Sequence, residues 1–198
     1  VEKIFVVPVS STAHNTLVRQ WNYIFNLEEQ FAYSEVDRIA NERIVMLEPI
    51  NDDMYAKKII LEYTNEISSD PANEVLIIIA HGPIDQADNE IELRLMNNIG
   101  EYIKKHSSIQ TVESFTLQDD APKTIRDQNL KRIKAFMNAS NEDGKRILMV
   151  SNLMSGKGIQ KKIEKDFEGI DYTFNPKGLL THPYYIDWIK ESVANHTE

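Results

Sequence analysis

The chain has 198 residues, of which 41% are hydrophobic and 27% charged, the balance of a packed globular protein built as one large α/β domain or two small ones. With 22 basic against 31 acidic residues the formal charge is −9, which repels phosphate backbones and anionic lipid, so nucleic acid is not an expected partner. The sequence contains no cysteine. That excludes disulfide scaffolds, thiolate metal sites and cysteine nucleophiles, and leaves any transition metal to His, carboxylate or Met. No apolar run reaches the ~18 residues needed to span a bilayer, and the start lacks the basic-then-apolar pattern of a signal peptide. A cytoplasmic location is expected, or a periplasmic or secreted one if a segment ahead of Val1 has been removed.

Taken in chain order, Lys3 to Val9 (KIFVVPV) reads as a strand and Arg43 to Leu47 (RIVML) as a shorter one. Ser68 to Asn73 (SSDPAN) has turn composition and is the expected boundary between two portions. Val75 to Ala80 (VLIIIA) is a continuous β-branched run that stops at His81-Gly82-Pro83. Two-sided apolar strands of this kind belong to buried parallel sheets. Leu93, Met96, Ile99, Tyr102 and Ile103 then repeat at helical spacing, followed by a strand over Val112 to Leu117 and a looser helical pattern through Ile125, Leu130, Ile133 and Phe136. Arg146 to Val150 (RILMV) and Asp171 to Phe174 (DYTF) are further strands, and Ile186, Ile189 and Val193 mark a last helix. The alternation predicts an α/β fold with open parallel sheets flanked by helices, and it places the four strands from Val75 onward in one sheet.

The two portions echo each other. Aligning Lys3 to Val7 with Arg146 to Val150 sets His14 opposite Lys157, each in a small polar loop (SSTAHN against MSGKGI). At a second offset Ile60 and Leu61 fall opposite Trp188 and Ile189, and Met54 opposite His182. This reads as an internal duplication in which residues 75–198 form a complete half and residues 1–68 only the latter part of another. The sheet of the first portion should therefore be truncated, with an exposed edge or a pairing supplied by another chain, as in a homodimer.

Ligands of open parallel α/β sheets bind beyond the carboxyl ends of the strands. His81 follows the third long strand at once and His14 lies a few residues past the first, so each imidazole is placed to bind a divalent metal or to act as a base; a solvated side chain or a cap is the alternative. His182 before Pro183 fits a helix N-cap, while His106 and His196 are expected at the surface. Asp52-Asp53, Asp85 with Asp88, and Asp119-Asp120 lie near helix starts, where capping competes with a chemical role; Asp120 before Ala121-Pro122 fits a cap. Ser155-Gly156-Lys157-Gly158 is followed by Ile159 and so misses the phosphate-loop spacing. No Gly-x-Ser-x-Gly or Gly-x-Gly-x-x-Gly occurs, which removes the hydrolase elbow and the dinucleotide fingerprint.

Ile78-Ile79-Ala80-His81-Gly82-Pro83, followed by Asp85, Asp88 and Asn89, resembles the strand, His-Gly and downstream Asn signature of the CbiX-type class II chelatases, the sirohydrochlorin cobaltochelatase and ferrochelatase group. Leu179-Leu180-Thr181-His182-Pro183 resembles their Leu-Gly-x-His-Pro segment. Val7-Pro8-Val9-Ser10-Ser11 with His14 and Arg19-Gln20 is similar to the loop carrying their second metal histidine, and Glu48 through Ile60 resembles the closing element of the first half in two-half members. The resemblance implies insertion of a divalent metal, cobalt or iron, into a tetrapyrrole such as sirohydrochlorin, a lyase step of cobalamin biosynthesis. The metal ion is then a substrate, no nucleotide is consumed, and His14 and His81 are the metal-binding and catalytic residues beside a carboxylate that aids proton removal. A non-catalytic metal- or tetrapyrrole-binding protein of the same fold is the alternative. Three departures bear on this. Lys157 or its glycine neighbours fill the slot of a second-half histidine, Met54 stands opposite His182, and the opening strands and helices of a first half are absent.

Overall fold

The computed structural model describes residues 2–197. In chain order it runs β1 (Ile4–Val6), α1 (Thr16–Ile24), β2 (Ile44–Met46), α2 (Met54–Asn65), β3 (Glu74–Ala80), α3 (Gln86–His106), β4 (Thr111–Thr116), α4 (Lys123–Glu142), β5 (Arg146–Ser151), α5 (Ile159–Asp166), β6 (Thr173–Asn175) and α6 (Pro183–Ala194). Four strands pair in parallel in the order β4-β3-β5-β6, and β1 pairs in parallel with β2 in a separate two-stranded sheet. The fold class and the single parallel sheet expected from Val75 onward are both found. β1 is shorter than the Lys3 to Val9 run because Pro8 has no N–H to continue a ladder. β6 starts two residues later than expected, with Thr173 opposite Leu148.

All seven residues of β3 are buried. Their side chains alternate between two cores, as strand geometry requires. Leu76, Ile78 and Ala80 pack with Met96, Ile99 and Ile103 of α3, with Ile59, Ile60 and Tyr63 of α2 and with Tyr185 and Trp188 of α6. Val75, Ile77 and Ile79 pack on the other face with Ile133 and Met137 of α4 and Ile163 of α5. One face of the large sheet is thus covered in part by a helix from the first portion, and the two portions share a continuous core.

The element order and pairing of β1, α1, β2, α2 repeat those of β5, α5, β6, α6. In the larger sheet β5 also pairs with β3, whereas among the described residues β1 pairs only with β2. The two final helices are capped by Asp53 and His182, so the residue structurally opposite His182 is Asp53, one position before the Met54 of the sequence alignment. His182 serves as the expected N-cap: its Nδ1 accepts from Tyr184 N at 3.2 Å, Pro183 follows, and its Nε2 reaches Glu62 at 2.8 Å.

The boundary segment is fixed by a buried acid. Glu74 is 2% exposed, and its carboxylate accepts from Ser68 Oγ at 2.5 Å, Ser69 N at 2.9 Å, Asp70 N at 3.1 Å and Arg146 Nη1 at 2.6 Å. Burial alone raises its pKa, but these hydrogen bonds outweigh it and hold the group below the usual carboxylate range. Such a group stabilises the fold above its unfolded pKa, and that stability is lost as pH falls through the folded value. Glu74→Gln is expected to cost about 2–4 kcal/mol at pH 7, because Arg146 and two backbone amides lose a charged acceptor. Urea unfolding checks this: the gap should shrink as the pH is lowered toward 3, and a gap independent of pH would contradict it.

Candidate functional site

In the order β4-β3-β5-β6, the chain leaves β3 toward β4 on one side and returns to β5 on the other, with α3 on one face of the sheet and α4 and α5 on the opposite face. The reversal point lies between β3 and β5, where loops diverge and leave a crevice. A cavity of about 310 Å³ opens there. Its walls come from both portions: Ser10, Ser11 and Thr12 after β1, Thr16 and Leu17 of α1, His81 to Ile84 after β3, Glu92 of α3, Asp120 after β4, and Leu153 and Met154 after β5.

Each wall is held in place locally. After β1, Ser10 Oγ donates to Thr12 O at 2.8 Å, Asn15 Nδ2 donates to Ser10 Oγ and to Thr12 O, and Ala13 N donates to Asn51 Oδ1 at 2.9 Å. Asn15 also caps α1 by accepting from Val18 N. Tyr33 reaches the cavity because buried Gln20 grips its segment, accepting from Ala32 N and Tyr33 N and donating to Ser34 O. Gly82 has φ +79°, and a Cβ there would lie 2.6 Å from Thr116 Cβ, so only glycine fits beneath His81. The wall after β5 is stapled by Leu179 N to Leu153 O and Leu180 N to Met154 O. Across the portions, Arg19 makes a bidentate pair with Asp88 at 2.6 and 3.1 Å.

His81 is half-buried, and its Nδ1 donates to the Gly82 carbonyl at 3.1 Å. A carbonyl only accepts, so this bond places a proton on Nδ1 and, in the neutral ring, a lone pair on Nε2. Nε2 lies 3.5 Å from Asp120 Oδ2. Two lone pairs facing each other make no hydrogen bond, and their separation matches the roughly 3.4 Å between two ligands that each sit ~2.1 Å from a tetrahedral ion. Asp119 completes a group of three whose ligand atoms lie within 4.8 Å of one another. Its carboxylate is already occupied, by Arg126 Nε at 2.7 Å and Lys162 Nζ at 2.5 Å. Burial pulls its pKa upward, and these two cations more than offset that and leave it lowered. Asp120 therefore offers the freer oxygen.

Asp120 does not cap α4. The N-cap is Pro122, which makes no side-chain bond, and Asp120 turns toward His81 instead. Asp53 and Asp85 do cap, accepting from Tyr55 N and Asp88 N. His106 and His196 are exposed and donate to the backbone carbonyls of Tyr102 and Ser192, four residues earlier. His14 sits on the cavity-forming loop after β1, its N–H bonded to Thr12 Oγ1, but its side chain is exposed and is not part of the lining. Lys157 is exposed in the loop before α5.

Glu92 is 3% exposed and lines the cavity. Among the described residues its carboxyl has one hydrogen bond, a long one of 3.5 Å from Ser11 Oγ. Burial pushes it up to about 7, and the Ser11 bond pulls back only slightly. A signal for it was present in the sequence: Glu92 precedes Met96 by four and Ile99 by seven, so helical spacing puts it on the buried stripe of α3.

The fold, open parallel sheets flanked by helices, is shared with two solved structures. No family model and no curated protein matches the sequence. Among solved structures the chain is similar to SirB from Bacillus subtilis with Fe3+, at a TM-score of 0.66 and 18% identity over 99% of this chain and 73% of that one. It is also similar to DR2241 from Deinococcus radiodurans, a multi-domain protein described as having structural similarity to chelatases and two additional novel domains, at a TM-score of 0.56 and 15% identity over 98% of this chain. It spans 41% of DR2241. Among the described residues no helix is long and apolar enough to cross a membrane.

The Glu92 carboxyl holds its proton more tightly in the folded chain than in the unfolded one, where the value is near 4.5. Its burden on stability is therefore absent below the unfolded pKa and grows as pH rises through about 7, to roughly 3 kcal/mol. Glu92→Gln is expected to match the wild type near pH 4.5 and to exceed it by ~2–3 kcal/mol at pH 8 in urea unfolding. Equal differences at the two pH values would contradict the burial argument.

Proposed function

We propose that this chain inserts a divalent metal ion, cobalt or iron, into a tetrapyrrole at the cavity between the two portions, without a nucleotide. The ion is a substrate and must be held loosely enough to be released into the macrocycle. The observation that carries the reading is the His81 Nε2 that faces Asp120 Oδ2 at 3.5 Å on the wall of that cavity. Imidazole with one or two carboxylates is a donor set for borderline divalent ions, and the Gly82 carbonyl fixes the ring in the ligating tautomer.

In this reading His81 receives the ion inside the cavity, with Asp120 beside it. His14, on the loop of the opposite wall, meets the ion or the macrocycle from outside the lining. The likeness to SirB with Fe3+ and to a protein with structural similarity to chelatases supports the class of reaction. The apolar side chains of Val9, Leu17, Tyr33, Ile84, Leu153 and Met154 give the flat face of a macrocycle apolar contact.

The test is to mix the protein with sirohydrochlorin and Co2+ or Fe2+ and follow the macrocycle's absorption. Turnover that His81→Ala abolishes is the expected result, while stoichiometric binding without product would make the protein a carrier of metal or tetrapyrrole. Calorimetric titration of Co2+ should show a loss of ~10-fold or more in affinity for His81→Ala and for His14→Ala. Binding should also weaken as the solution is acidified, since a protonated imidazole cannot ligate. Unchanged affinity in both variants would reduce them to ordinary loop histidines.

A further inference from the structure

Among the described residues two glutamates are buried, and their surroundings are opposite. Glu74 has a full set of donors, including a guanidinium. Glu92 has one distant hydroxyl, although it is buried to the same degree. An acid kept only for the fold is normally paired in this way or replaced by an apolar residue, because an unpaired buried carboxyl costs free energy. Glu92 instead stands on the apolar stripe of α3 where that stripe meets the cavity.

The groups around it leave it without a counter-ion. Ser11 faces it from the loop after β1, His81 and Asp120 share its cavity from the loops after β3 and β4, and the loop after β5 contributes only Leu153 and Met154. One turn earlier on α3, Asp88 is already tied to Arg19 of α1. Among the described residues no lysine or arginine lines the cavity. Nothing there locks Glu92 in its ionised form, and it is free to change protonation state when a ligand arrives.

We infer that Glu92 is the proton acceptor of the insertion, taking a pyrrole N–H proton from a macrocycle seated in the cavity while the ion waits at His81. This rests on the reading that the cavity receives a tetrapyrrole. The N–H bond breaks, the proton goes to a carboxylate oxygen of Glu92, and the nitrogen keeps the electron pair that it then donates to the ion. One divalent ion replaces two protons. The second proton leaves to water once the ion is seated, because coordination acidifies the remaining N–H. Burial sets the carboxyl at about 7, which suits a group that must both take and release a proton near neutral pH.

The experiment compares wild type, Glu92→Gln and Glu92→Asp in Co2+ insertion into sirohydrochlorin across pH 5 to 9, with Co2+ affinity measured by calorimetry in each. The wild-type kcat is expected to fall on the acid side. Glu92→Gln should lower kcat by ~100-fold and abolish that acid limb, with Co2+ affinity and macrocycle KM within about threefold of the wild type. Glu92→Asp, which keeps a carboxyl, should retain a displaced limb. A Glu92→Gln enzyme with the wild-type rate and profile overturns the inference and leaves the proposed function standing. Loss of Co2+ affinity in step with turnover overturns it also, since Glu92 would then hold the ion. Absence of turnover in the wild type with Co2+ and Fe2+ overturns the proposed function, and this inference with it.

Discussion

The structure depends on a strand that is apolar on both sides. β3 cannot be left half-covered, because each face of it carries aliphatic side chains that water would oppose, so helices must close over both. α4 and α5 cover one face, while the other needs α3 and α6 and also α2, which arrives from the first portion. The position of the first portion is thus set by the hydrophobic demand of the second. The loop after β1 is carried with it to the carboxyl end of β3, and the cavity forms where the two meet.

Electrostatics then separates the acids that fix the chain from those that face the cavity. Where a carboxylate fixes the chain, as at Glu74 or at Asp88 against Arg19, donors surround it. Where one faces the cavity, as at Asp120 and Glu92, donors are scarce. The contrast is sharpest between neighbours: Asp119 is taken by Arg126 and Lys162, while Asp120 turns to His81. A cavity rimmed by under-partnered acids and one fixed imidazole favours a cation.

Much of the fold is legible in the sequence because long parallel strands announce themselves. Val75 to Ala80 and Arg146 to Val150 are continuous apolar runs, and the stops after them place His81 and the Leu153-Met154 loop at the carboxyl ends. The three-residue strands β1, β2 and β6 are blurred because so short a ladder is decided by its partner rather than its own composition. The site is less legible than the fold. Asp120 satisfies every local rule for a cap, yet the chain starts α4 at Pro122 without it. Glu92 reads as a solvated helix position unless its spacing from Met96 and Ile99 is followed. His14 and His81 look equivalent in the sequence, but only the second has a glycine beneath it that lets the strand end press against Thr116 and hold the ring at the cavity wall.

The two-stranded sheet of the first portion also has a dynamic consequence. β1 and β2 contribute three residues each, so their local opening costs far less than that of β3, whose amides sit in the middle of a four-stranded ladder. A ligand gripped between Ser11 and His81 ties the cheaper element to the more stable one. Occupancy is then read out at a distance, as slowed hydrogen exchange along β1 and in the Ser10–Asn15 loop, while β3 exchanges as slowly as before.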